Sequence, residues 1–217
     1  MPERGRNWKP PQSRTMPSQL TDRLNHLRET LRDQDPSLVA ARSASSWLTL
    51  GPDRGELRIP FWDDACILPF PELTACNSHG EPLSDFQQAL LLYYLVTADG
   101  APLTGRWLSF ADLPGGRMYN AAFQGYSGDE IAKKFGSGLG AFKSACAKAG
   151  GRFVEIGSAS FVFQALPRVP LMATYWLGDE DFPSSCKILF DESASHYLPI
   201  DACAILGSTL TRRLIRS

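Results

Sequence analysis

GRFVEIGSASFVFQALPRVPLMATYWL, residues 151–177, is the stretch on which the fold turns. It is rich in β-branched and aromatic residues and is interrupted only by glycine- or proline-bearing breaks, the pattern of consecutive strands. Strands are expected at 152–156, 160–164 and 169–177, with a fourth at 187–190. The alternation in Phe161-Val162-Phe163-Gln164 is imperfect, so at least one strand should be buried on both faces.

Working back from that stretch, the chain is helical. Ser84 with Gln87 three residues later forms a capping box. The helix it opens, to about residue 98, is apolar nearly all round: Phe86, Ala89, Leu90, Leu91, Leu92, Tyr93, Tyr94, Leu95 and Val96. A helix with so little polar surface belongs at the centre of a fold. Two further helices are expected at 129–135 and 139–149, each ended by glycine. Nearer the start, Leu20, Leu24, Leu27 and Leu31 lie on one stripe of a helix. Asp35-Pro36 then reads as an N-cap with proline at the first helical position. Short strand-like pieces follow at 47–50, 56–60 and 66–68. After the main strands, a helix from about 201 to 215 closes the chain. Helices first and adjacent strands later give the α+β class, with N-terminal and central helices packed on a mostly antiparallel sheet built by the C-terminal half. Residues 1–17, rich in Pro, Arg and Ser, read as a disordered basic leader. Residues 18–217 read as a single α+β domain.

Composition excludes several functions. The net charge is −1, with 22 basic and 23 acidic residues, so no global field favours nucleic acid. The apolar run 89–96 is too short to span a bilayer, which needs about 20 residues. Pro10, Pro11 and Pro17 stand where a signal peptide needs an apolar core. The five cysteines, at 66, 76, 146, 186 and 203, are scattered, as suits a reducing compartment. These features predict a cytoplasmic protein that binds neither membrane nor nucleic acid. P-loop, dinucleotide and nucleophile-elbow signatures are absent.

Two clusters could carry chemistry. In the last forty residues, Asp179 and Asp181 follow one strand, Asp191 follows the next, and His196-Tyr197 comes shortly after. If the strands form a hairpin, these acids could converge at one end. Carboxylates with an imidazole could hold a divalent metal or act as acid and base. The competing reading makes 178–181 a solvated turn and Asp191 a helix cap. His196 could also be an axial ligand to a tetrapyrrole metal, or a histidine bonded to backbone. The second cluster is Arg106-Trp107 with Tyr119, Asn120, Gln124 and Tyr126 on glycine-rich loops. Aromatics that stack and amides that orient suit a polar, planar ligand, and they equally suit a packed loop region. Cys76 and His79 have metal-like spacing but form only one half-site.

The stretches LLLYYLVTADGAPLTGRWLSFADLPGG (90–116), YNAAFQGYSG (119–128), LPRVPL (166–171) and WLGDEDFPSSCKILFDESASHYLP (176–199), with the final helix, carry a family likeness. Over about residues 20–215 the sequence resembles the domain of unknown function 3786 family of anaerobic bacteria and archaea. Some of its members carry a four-cysteine iron–sulfur module, which this sequence does not contain. The resemblance implies an association with metal, corrinoid or iron–sulfur metabolism, and supplies no reaction and no catalytic residue. Three functions follow. The first is a binding or accessory protein holding a cofactor, such as a tetrapyrrole or corrinoid, between the aromatic–amide loops and His196-Tyr197, with an iron–sulfur protein as partner. The second is an enzyme that uses Asp179, Asp181, Asp191 and His196 on a divalent metal. The third is an accessory subunit acting through a protein interface.

Overall fold

The structure, a computed structural model, describes residues 16–217. The expected leader therefore lies outside the described residues except for Met16 and Pro17, which already belong to a helix. That helix, α1 (Met16–Arg32), buries Leu24, Leu27 and Leu31 of the leucine stripe. In α2 (Pro36–Ser43), Asp35 accepts the Ser37 N–H and proline takes the first turn. The three short strand-like pieces are real strands: β1 (Ser46–Gly51), β2 (Arg54–Phe61) and β3 (Asp64–Phe70). They form an antiparallel meander of their own. The sequence placed the sheet in the C-terminal half, and this second sheet is an addition to it. Two-residue turns fold these strands onto each other before the later strands enter the chain.

The capping box at Ser84 and Gln87 opens α3 (Asp85–Thr97), whose middle turns are buried from Gln88 to Leu92 and again at Tyr94 and Leu95. Phe86, in the first turn, is instead 63% exposed. α1 and α2 cover α3 on one side. Its polar exceptions are satisfied. The buried Gln88 amide accepts from Arg28 at 2.7 Å and donates to the Leu83 carbonyl at 3.0 Å. Tyr94, wholly buried, donates its hydroxyl to the Ser43 carbonyl and accepts the Arg168 N–H at 3.1 Å.

A five-stranded antiparallel sheet forms the other half, in the order β4-β8-β7-β6-β5. The strands are β4 (Trp107–Ser109), β5 (Arg152–Val154), β6 (Ala159–Leu166), β7 (Val169–Trp176) and β8 (Ser185–Asp191). β7 is buried along its length up to Tyr175, which is the strand covered on both faces that the pattern required. Four helices follow the chain across this sheet: α4 (Asn120–Tyr126), α5 (Gly128–Phe135), α6 (Leu139–Lys148) and α7 (Ile200–Arg216). α5 lies directly on β8. Gly128 makes this possible, because a Cβ there would sit 2.1 Å from the Cys186 carbonyl oxygen. The two sheets touch where the Trp62 N–H donates to the Ala165 carbonyl at 3.0 Å, and one hydrophobic core includes both. The class is α+β.

All five cysteines are free, and four are buried. Burial pushes the Cys66 thiol up to about 11 and that of Cys203 up to about 12, so they pack as small apolar groups.

Tyr94→Phe strands the buried Ser43 carbonyl and removes the acceptor of the half-buried Arg168 N–H, and should destabilise the protein by roughly 1–3 kcal/mol. Phe86→Ser, on the exposed turn of the same helix, should stay within about 0.5 kcal/mol. Urea denaturation of both variants checks the contrast.

Candidate functional site

The turn between β7 and β8 carries Asp179 and Asp181. Asp179 Oδ1 accepts the N–H groups of Asp181 at 3.0 Å and Phe182 at 2.8 Å, and the Asp179 N–H donates to the Phe182 carbonyl. Both acids are exposed. Asp191 stands at the far end of β8, seven residues and about 20 Å of strand away. A hairpin sets the start of its second strand beside the turn and the end of that strand remote from it. The expected convergence of Asp179, Asp181 and Asp191 therefore does not occur.

Asp191 is 1% exposed and fully engaged. Its Oδ1 accepts the Thr104 N–H at 3.1 Å, the Thr104 hydroxyl at 3.2 Å and the Ser193 N–H at 3.0 Å. Its Oδ2 accepts the Gly105 N–H at 2.7 Å. Burial by itself raises the carboxyl pKa, but the hydrogen bonds from Ser193, Thr104 and Gly105 outweigh it and hold the group below its ordinary value of 3.8. Asp191 caps the 3-10 turn Glu192–His196 and ties that turn to the segment leaving α3.

Asp191 is one of a row of ties between residues 99–106 and 191–197. The Glu192 N–H donates to the Arg106 carbonyl at 2.8 Å, and the two side chains form an ion pair at 3.2 Å. The Tyr197 hydroxyl donates to the Ala101 carbonyl, and its buried ring lies 5.7 Å from that of Tyr94. Trp107 pairs with Asp191 across β4 and β8. At the open end of the row, His196 Nδ1 lies 2.6 Å from Asp99 Oδ2. The hydrogen bond from His196, helped by the Ala101 N–H, holds the Asp99 carboxyl below its usual range. A carboxylate can only accept, so Nδ1 carries a proton, and in the neutral ring Nε2 is the nitrogen with the free lone pair. Both side chains are about half exposed. His196 borders a cavity of about 490 Å³ lined also by Thr104, Asp112, Glu192 and Ser195.

The second predicted cluster divides. Arg106 and Trp107 join His196 and Tyr197. Tyr119, Asn120, Gln124 and Tyr126 do not, and they are not on loops: Tyr119 ends a 3-10 turn and the others form α4. Gly125 sits on the open side of α4, where nothing crowds it and helix geometry is tolerated. Gln124 Nε2 donates to the Cys186 carbonyl at 2.8 Å and to Asp129 at 2.9 Å, which is a structural use. Tyr119 is exposed, and Tyr126 lines a separate cleft formed with α3 and α7. In the Cys76–His79 turn, the His79 N–H donates to the Asn77 side chain. Among the described residues, no group of three His, Cys, Asp or Glu side chains is placed to hold a metal. No described helix is long and apolar enough to cross a membrane.

Sequence reasoning missed Asp99. It lies 97 positions from His196 and reads locally as the start of an Asp-Gly turn after α3. No periodicity links residues that far apart. The family model described as Domain of unknown function (DUF3786) matches residues 35–213, a span that contains both tied segments. No curated protein and no solved structure matches the chain.

Asp191→Asn replaces an acceptor oxygen with an amide facing N–H donors. It should cost roughly 2–4 kcal/mol, or about 5–15 °C of melting temperature. Because the folded carboxyl binds its proton more weakly than the unfolded one, its contribution is complete above the ordinary value of 3.8 and drains as pH falls through the lower folded value. The Asn variant should therefore lose less stability than the wild type between pH 5 and pH 2, about the window this linkage sets. Thermal melts across that range check both points.

Proposed function

The chain belongs to the DUF3786 family, and from that premise we propose that it is a cofactor-associated binding protein whose contact atom is His196 Nε2. The observation that carries this reading is the Asp99–His196 pair at 2.6 Å beside the 490 Å³ cavity. A carboxylate on Nδ1 fixes the tautomer, aims the ring and raises the basicity of the other nitrogen, as outer-shell partners of metal-bound histidines do. A bare structural cation takes about four protein ligands, whereas a haem or corrinoid metal brings four ring nitrogens and takes an axial one from the protein. One oriented imidazole at an open cavity suits the second case. The reading includes a reducing cytoplasmic setting and an iron–sulfur protein as redox partner.

The same pair supports a second reading, in which Asp99 orients His196 as a general base in an enzyme. The two differ in what they bind. In the cofactor reading, haemin or cobinamide titrated into the anaerobic protein should bind at micromolar concentration, with a shifted Soret or corrinoid band. His196→Ala should abolish the shift, and Asp99→Asn should weaken binding by about tenfold. Unchanged spectra with both probes would sink the cofactor reading and leave the acid–base one.

A further inference from the structure

A second cavity, of about 960 Å³, shares no lining residue with the one at His196. It opens between the β2–β3 turn, the first turn of α3, Tyr126 and one face of α7. We propose that this cleft is a binding site for a planar organic anion: a conjugated, largely apolar ring system bearing a carboxylate, sulfonate or phosphate group.

Its size is that of small-molecule sites, about 300–1,000 Å³. Part of its wall is aromatic. Phe61, Trp62, Phe86 and Tyr126 line it, and an exposed phenylalanine in the first turn of an otherwise buried helix has no packing role there. The strongest sign is at Trp62. It occupies the two-residue turn between β2 and β3 with φ +54°, a left-handed backbone usually left to glycine or asparagine. A bulky side chain is kept in that conformation at a cost, and such outliers cluster where a ligand is clamped.

The polar groups at Trp62 define the ligand's chemistry. The Arg213 guanidinium lies over the indole ring, 5.0 Å from its centroid, and pairs with Asp63. The indole Nε1–H and the Arg213 Nε–H are both buried without an acceptor. Both can only donate, so a partner that reaches them beneath the wall of the cleft must be an acceptor. The charged groups of the lining are Arg212, Arg213 and Glu130; Arg213 is paired with Asp63, and Arg212, which donates to the Ser208 hydroxyl at 2.9 Å, is the further cation for an anionic ligand. A flat apolar ring on the aromatic wall with an oxyanion toward Arg213 meets all of these demands together.

The test is fluorescence titration of the full chain with 8-anilinonaphthalene-1-sulfonate, beside its uncharged counterpart N-phenyl-1-naphthylamine. The sulfonate should bind at one saturable site at micromolar concentration, and the neutral compound at least about tenfold more weakly. Arg213→Gln should weaken the sulfonate by about tenfold or more while moving the neutral compound less than about twofold. Phe86→Ser, on an exposed position, should weaken both. Should Arg213→Gln melt below the assay temperature, the exposed Arg212→Gln carries the same expectation. Non-saturable binding, equal affinity for the two probes, or an arginine variant that shifts neither would overturn the proposal.

Discussion

The hydroxyl of Tyr94 is the contact on which the rest of the structure depends. It is wholly buried, donates to the last turn of α2 and accepts from the backbone of the β6–β7 turn, while its ring lies against Tyr197. One phenol thus joins an N-terminal helix, the tip of the large sheet and the turn that carries His196. Its position follows from the helix that bears it. α3 has no polar face, so every side of it needs cover, and cover comes from parts of the chain far apart in sequence. A hydroxyl in that setting costs free energy unless it is bonded, and here both its donor and its acceptor capacity are used.

From the end of α3 the chain runs straight into the ties at residues 99–106. Their chemistry separates two kinds of acid that look alike in a sequence. Asp191 is buried and accepts from three backbone N–H groups, so its charge is neutralised by fixed dipoles and its lone pairs are occupied. Asp99 is half exposed and spends one oxygen on an imidazole and the other group's reach on its own turn, through the Ala101 N–H. The first arrangement makes a structural post. The second leaves a half-exposed imidazole on the border of a cavity. The buried post gives the exposed pair its fixed geometry, because Asp191 and His196 sit at the two ends of one five-residue 3-10 turn.

Elements set by local rules were legible in the sequence. The Asp35-Pro36 start, the Ser84–Gln87 capping box, the leucine stripe of α1 and the four late strands all follow from spacing within ten residues or so. The features that failed depend on distance or tertiary context. A glycine inside α4 looks like a breaker because sequence cannot show that its side of the helix is open. The acids around the β7–β8 hairpin look convergent because their separation along β8 appears only once the strand is laid out. Asp99 and His196 meet only because α3 ends where β8 ends. Half of the predicted ligand set, Arg106, Trp107, His196 and Tyr197, does come together, and it comes from the two stretches that carried the family likeness most fully.

The buried helix also fixes how the two cavities stand to each other. Its first turn, with Ser84, Phe86 and Gln87, lines the large cleft, and its last residues lead directly to Asp99. Thirteen residues of helix set those ends about 20 Å apart. A second connection runs the other way: the turn bearing His196 passes through Pro199 into α7, whose exposed face forms the opposite wall of the cleft. The large cleft is lined by the first turn of α3 and a face of α7, and the cavity at His196 by the segments that follow α3 and precede α7. A close-packed core resists sliding of a helix whose middle turns are buried. The spacing between His196 and Trp62 is therefore a property of the fold.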